Sequence, residues 1–254
     1  MISINFMGGL GNQLFQIAAV YSLAMSNNDI PVFNFDKCYT PLQGNKTNKY
    51  KHSIFKHLTH NDKFIAENHY QESSYYFNPI NYKPNLLLNG YFQSEKYFKL
   101  HKEDILNIFC LDDFKEKALN FLNKIPGNKT SVHIRRGDYI PYQNVMYILD
   151  MEYYRMAMSL FKDTSFIIFS DDLEWVKENF KDPNMFIFDN NDDSLNLTCM
   201  SLCDNHIIAN STFSWWGAYL NKNCNKKIVA PRKWYSAPEL IENKDKIPED
   251  WTII

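Results

Sequence analysis

Several features that would place a chain in a familiar class are scarce or missing here. Its five cysteines (Cys38, Cys110, Cys199, Cys203 and Cys224) are odd in number and form no C-x-x-C pair, so a disulfide framework is not expected and core thiols are. No glycine run has the spacing G-x-G-x-x-G or the lysine of a P-loop, which removes NAD and ATP from the readings. No apolar stretch approaches the ~18 residues needed to span a bilayer. No signal peptide precedes "ISINF", and the expectation is a soluble, cytoplasmic protein without an integral membrane segment. A surplus of one charge is missing too: 27 basic and 29 acidic side chains leave a formal charge of -2. That provides no field for nucleic acid, although one small anion could still be held locally. His52, His57 and His60 match no metal motif, and no carboxylate–x–carboxylate pair lies beside a strand end, so no metal is expected.

What is present is a chain of 254 residues, 45% hydrophobic and 16% aromatic, enough for one large domain or two of roughly 120 residues each. The first half opens with a strand at 2–6, then "MGGLGNQ", an apolar helix through "LFQIAAVYSLAM" and a short strand "VFNF" at 32–35, a βαβ beginning. Residues 36–85 are polar and aromatic and read as long loops. A strand resumes in "NLLLNGYFQSEKYF", and an amphipathic helix at 112–125 ends at Pro126-Gly127. The domains are therefore expected at 1–126 and 127–254. In the second half, apolar strands at 130–134, 165–169, 185–188, 206–209 and 227–230 alternate with helices near 151–161, 172–180, 194–203 and 212–220. This pattern predicts an α/β, doubly wound parallel sheet covered on both faces.

Ligands of such sheets bind beyond the carboxyl ends of the strands, where this sequence concentrates its polar residues. Arg135, Arg136 and Asp138 follow the first strand of the second half. Ser170, Asp171 and Asp172 follow the next, and Asn210, Ser211, Thr212 and Ser214 follow the fourth. A guanidinium fork binds phosphate bidentately, and the helix begun by "NSTFSWWGAYL" offers free N–H groups to the same kind of anion. In the common doubly wound order the first and fourth strands are neighbours, so a diphosphate fits between these elements. A carboxylate at Asp171 or Asp172 has two parallel acceptors suited to guanine. If the two halves face a cleft, the "GGLG" loop lies on the wall opposite the arginines.

"GGLGNQLFQ" at 8–16, "GYFQSEKYF" at 90–98, "HIRRGDY" at 133–139 and "NSTFSWWGAYL" at 210–220 occur in the order found in the α-1,2-fucosyltransferase family, which the chain resembles through to its closing "APRKW". The resemblance implies a GT-B-like fold of two Rossmann-like domains facing a cleft, with an acceptor-side N-terminal domain and GDP-fucose held by the C-terminal one. It implies inverting transfer of L-fucose from GDP-β-L-fucose to the 2-hydroxyl of a galactoside, and with arginine and helix N–H groups to neutralise the diphosphate the transfer is expected to be metal-independent. His133 and Arg135 would contact the diphosphate, with Arg136 supporting. Asp171 or Asp172 would read guanine, Thr212 and Ser214 would touch phosphate, and Gly9, Gly11 and Asn12 would approach the donor from the opposite side.

Asp138 has two readings, a base for the acceptor proton or an orienter of the arginines, and Glu95 and Asp36 are further carboxylates without a ranking. A different class of function, a carbohydrate-binding module without turnover, would use Tyr75, Tyr76, Tyr91, Trp215 and Trp216 as stacking rings. The intact arginine motif argues against it, because a lectin needs no diphosphate site. A third reading takes Arg136-Gly137-Asp138 as an adhesion tripeptide, and no secretion signal supports it.

Overall fold

A computed structural model describes residues 1–38, 46–237 and 245–254. The chain forms two compact units: Met1–Asp113 with Glu242–Pro248, and Phe114–Ile241 with Glu249–Ile254.

The first unit is built on a three-stranded parallel sheet of β1 (Ile2–Ile4), β2 (Asn68–Gln71) and β3 (Leu86–Asn89), with β3 in the centre and Leu86 aligned with both Ile2 and Asn68. Helix α1 (Leu10–Ser26) follows β1. Leu10, Leu14, Ile17, Val20 and Ala24 are all buried, which is why this stretch is apolar almost all round. The expected strand at 32–35 is reduced to isolated bridges, Ile2 with Pro31 and Phe33 with His60. Pro31 lacks the N–H that a ladder needs, and Phe33 and Phe35 instead join Phe6 and Phe55 in an aromatic stack with centroid spacings of 5.5–6.1 Å. Helix α2 (Lys102–Ile108) also lies wholly within this unit.

In the second unit, β4 (Asn128–Ile134), β5 (Thr164–Ser170), β6 (Met185–Ile187), β7 (Asn205–Ile207), β8 (Ile228–Ala230) and β9 (Thr252–Ile253) form one parallel sheet in the order β6-β5-β4-β7-β8-β9. This is the doubly wound order expected, with β4 and β7 neighbours at the switch point. Alternate residues of each strand face opposite layers. Val132, Ile134, Phe166 and Ile168 pack against α4 (Met151–Ser159) and α5 (Leu173–Asn179) through Tyr154, Ala157, Val176 and Phe180. Ile167 and Phe169 pack on the other side against α3 (Asp112–Leu122) and α6 (Asp193–Ser201) through Ala118, Leu122, Cys199 and Met200. The last helix, α7 (Thr212–Tyr219), lies so close to α6 that a Cβ on Gly217 would come within 2.9 Å of Met200.

The boundary expected at 126 and 127 marks only the end of the α3 region. The compact units divide at Asp113 and Phe114, because the apolar face of α3 is satisfied by the second sheet. The first unit is also joined by a late excursion of the chain, where Asp245 accepts the Phe77 N–H at 3.0 Å and Lys246 reaches Gln93 at 2.7 Å.

A buried histidine fixes β7 to its surroundings. Asn221 donates to His206 Nε2 at 2.7 Å, which leaves the ring proton on Nδ1 to donate to Ser131 at 2.8 Å. Burial, with the Lys226 charge, pushes the His206 pKa down to about 3. A base with a depressed folded pKa contributes stability above its unfolded pKa and loses it as the pH falls. The unfolded chain binds a proton that the folded chain refuses, so this histidine should remove about 2 kcal/mol between pH 7 and pH 5. Denaturant titrations at the two pH values check this: His206→Gln should lose less stability than the native chain by about that amount.

Candidate functional site

The central strand β4 delivers the opening of the site. His133 is buried near its end, with its ring 5.8 Å from that of Phe213, and among the described residues its Nδ1 has no hydrogen-bond partner. Burial lowers its pKa to about 3; Asp171 opposes this, and the Arg135 charge adds to it. The ring is therefore neutral at physiological pH.

Beyond β4 the chain turns through a 3-10 segment, Gly137–Tyr142, and the two arginines are clamped by carboxylates from β4's own loop and from the end of β5. Arg135 Nη2 meets Asp138 at 2.7 Å, and Arg135 Nη1 meets Asp171 at 3.0 Å. The other oxygen of Asp171 accepts the Arg136 backbone N–H at 2.9 Å. Gly137 permits this approach, since a Cβ there would lie 2.8 Å from Asp171 Oδ2. Arg136 donates from Nε to Asp172 at 3.1 Å and lies over the Trp175 ring at 4.1 Å. Asp172 also caps α5 by accepting the Trp175 N–H at 3.1 Å. Both aspartates expected at guanine thus already hold arginines or a helix end, although each carboxylate oxygen keeps a further lone pair.

Tyr139 ties this loop to the next strand end. Its ring lies 5.2 Å from the Arg135 guanidinium carbon, and its hydroxyl donates to the Asn210 carbonyl at 3.0 Å. Burial, opposed by Arg135, pushes the phenol pKa up to about 12, so it remains a donor. Asn210 is buried and donates its amide to the Tyr147 and Trp234 carbonyls, both at 2.8 Å, which braces the segment entering α7. Ser211 caps α7 by accepting the Phe213 N–H at 3.3 Å, and Ser214 donates to the Ser211 carbonyl at 3.2 Å. Thr212 is half-buried in the first helical turn.

The structure therefore gathers His133, Arg135, Arg136, Asp138, Asp171, Asp172, Asn210, Ser211, Thr212 and Ser214 along neighbouring strand ends of one sheet. It adds Tyr139 and Trp175, which the sequence reading passed over. Trp175 carries no signal beyond standing three residues after a capping aspartate. Of the arginine nitrogens, Arg135 Nε is buried and has no hydrogen-bond partner among the described residues. A guanidinium has five N–H groups, and two of those on Arg135 are taken by Asp138 and Asp171.

Gly9, Gly11 and Asn12 belong to the first unit. Gly8 has φ +76°, a left-handed conformation, and a Cβ there would strike the Asn12 side chain. Gly9 then leads into α1 without a side-chain cap. Asn12 accepts from Gln93 at 2.8 Å, while Gln13 donates to the Gly8 carbonyl at 3.0 Å and Gln16 to those of Met7 and Gly90 at 3.2 and 3.0 Å.

With this geometry established, comparison with known proteins places the chain: it belongs to glycosyl transferase family 11, a fucosyltransferase family, matched over residues 1–254. It is 33% identical to the O-antigen biosynthesis glycosyltransferase WbnK of Escherichia coli, over 96% of each chain. It is 32% identical to an alpha-1,2-colitosyltransferase of Escherichia coli, over 97% of this chain and 96% of the other. A galactoside alpha-(1,2)-fucosyltransferase 2 of Oryctolagus cuniculus is 26% identical, over 87% of this chain and 67% of its own length. Among solved structures, the alpha-1,6-fucosyltransferase NodZ co-crystallised with GDP aligns with a TM-score of 0.53 at 14% identity, covering 85% of this chain and 91% of its own. That likeness agrees with the GT-B-like α/β fold.

Proposed function

We propose that this glycosyltransferase moves L-fucose from GDP-β-L-fucose to the 2-hydroxyl of a terminal galactoside, inverting the linkage to α-1,2. The observation that carries the reading is the Arg135 clamp, a guanidinium fixed by Asp138 and Asp171 at the switch point beside the start of α7. Charge builds on the departing diphosphate as the sugar becomes oxocarbenium-like, and fixed donors aimed at that charge lower the barrier without reorganising. Arg135 supplies the charge. The uncharged His133 adds a polar ring nitrogen, and Thr212 and the first N–H groups of α7 complete the cradle. Asp138, held by Arg135, is assigned to positioning, and either Asp171 or Asp172 reads guanine with its remaining lone pairs.

The experiment is incubation with GDP-fucose and a panel of galactosides, followed by mass spectrometry of the product. A product carrying fucose on the 2-hydroxyl of galactose is expected. The colitosyl relative supplies a second reading of the donor sugar, and GDP-linked colitose should be run beside GDP-fucose; transfer of colitose alone overturns the fucosyl assignment. In the same assay turnover should survive exhaustive EDTA treatment, because Arg135 and α7 meet the leaving charge. Activity lost to EDTA and restored by Mn²⁺ or Mg²⁺ shows that assignment to be wrong. GDP at about 100 times its dissociation constant should stabilise the chain by ~2.7 kcal/mol, with UDP and ADP far less effective; equal thermal shifts from all three exclude a guanine-reading carboxylate.

A further inference from the structure

The first unit has strand-end loops of its own at the carboxyl edge of its small sheet: Gly8–Asn12 after β1, Gly90–Gln93 after β3 and Glu72–Asn78 after β2. Carboxyl edges of parallel sheets are where ligands settle. The Glu72–Asn78 loop is hydrogen-bonded at both ends. At its base Glu72 accepts the backbone N–H groups of Tyr91 and Phe92 at 2.6 and 3.1 Å, and Gly90 passes so close that a Cβ would strike the Glu72 side chain. At its far end the Phe77 N–H is held by Asp245 at 3.0 Å and the Asn78 N–H by the Tyr97 hydroxyl at 3.2 Å. Ser74 and Asn78 close the loop side chain to side chain at 2.5 Å, and the Phe77 ring packs edge-on against Tyr97 at 4.9 Å.

Between these anchors two adjacent rings are about half exposed, Tyr75 54% and Tyr76 49%. Trp215 and Trp216, aromatics of the other unit once open to the same role, are fully buried and pack with Tyr219. A phenol on a pinned backbone presents a large amphipathic surface with little side-chain freedom to lose. Saccharides match that surface, because C–H faces lie on the ring while hydroxyls reach the phenolic oxygen and nearby amides. Gln93, fixed between Lys246 at 2.7 Å and Asn12 at 2.8 Å, puts such an amide on the adjacent loop of the same edge.

We propose that Tyr75 and Tyr76 form a stacking platform for the acceptor saccharide, a site that sets acceptor affinity and leaves the nucleotide site untouched. This rests on the galactoside reading above. The probe is lactose, followed by saturation-transfer NMR in the presence of GDP, with thermal protection by GDP measured on every variant. The double variant Tyr75→Ala/Tyr76→Ala should bind lactose about tenfold or more weakly, with GDP protection unchanged. Tyr75→Phe/Tyr76→Phe keeps both rings and should retain most of the binding, a rescue that a merely structural loop would not predict. Equal lactose binding by the native chain and the double alanine variant overturns the platform. A native chain that is protected by GDP yet gives no transfer to lactose overturns the galactoside reading and the ligand drawn here. Loss of GDP protection in the alanine variant overturns a role confined to the acceptor.

Discussion

Replacing Arg135 with lysine is expected to lower turnover by about 10²-fold or more and to weaken GDP, with little change in folding stability. Lysine keeps the positive charge but has no planar fork, so it cannot hold Asp138 and Asp171 at 2.7 and 3.0 Å on two separate nitrogens whose remaining N–H groups are left for phosphate. The guanidinium is also the residue of choice where a diphosphate must be met without reorganisation. Asp138→Asn is the informative companion. An aspartate that accepts the acceptor's proton would lower turnover on removal while GDP affinity held. An aspartate that orients Arg135 would lower both, and its contact with Nη2 leads us to expect the joint loss. Initial rates and calorimetric GDP titrations on the two variants separate these outcomes. A folded Arg135→Lys enzyme with native rate and GDP affinity removes the main physical support for a phosphate site after β4.

Much of the second unit could be read from its sequence because its strands are covered on both faces. Continuous apolar runs such as "SFIIF" bounded by polar residues leave few alternatives, and the polar residues at their ends are the ones the sheet brings together. The first unit was less legible for equally physical reasons. β2, "NHYQ", is an edge strand with alternately half-buried and exposed residues, and it carries almost no apolar signal. The return of the chain at Asp245 and Lys246 is invisible to periodicity, since its anchors are single hydrogen bonds more than 140 residues apart in sequence. The paired tryptophans show the opposite failure. Lying in a motif next to the site, Trp215 and Trp216 invite a ligand role, but Trp215 packs on Trp251 at 5.2 Å and serves the core. The sequence placed Asp171 and Asp172 at the right strand end without revealing that their oxygens were already engaged, because that depends on how closely Gly137 lets the loop approach.

That engagement leads to the second large effect. Asp171→Asn should weaken GDP by about tenfold to a hundredfold, the range for losing a charge-assisted hydrogen bond, and turnover should fall with it. The carboxylate holds the Arg136 backbone at 2.9 Å as well as Arg135 Nη1, so its removal loosens the arginine loop as a whole. Inorganic pyrophosphate, which has no base, distinguishes the two roles of this residue. If Asp171 positions the arginines, pyrophosphate and GDP weaken by the same factor. If it reads guanine, GDP weakens and pyrophosphate does not. Gly137→Ala supplies the control in which no charged side chain is replaced: its new Cβ would lie 2.8 Å from Asp171 Oδ2, so the carboxylate must move away from the arginines. The alanine variant should reproduce the matched loss of pyrophosphate and GDP binding. If Gly137→Ala binds both ligands like the native chain while Asp171→Asn loses only GDP, Asp171 belongs to the base and the clamp is held by Asp138 alone.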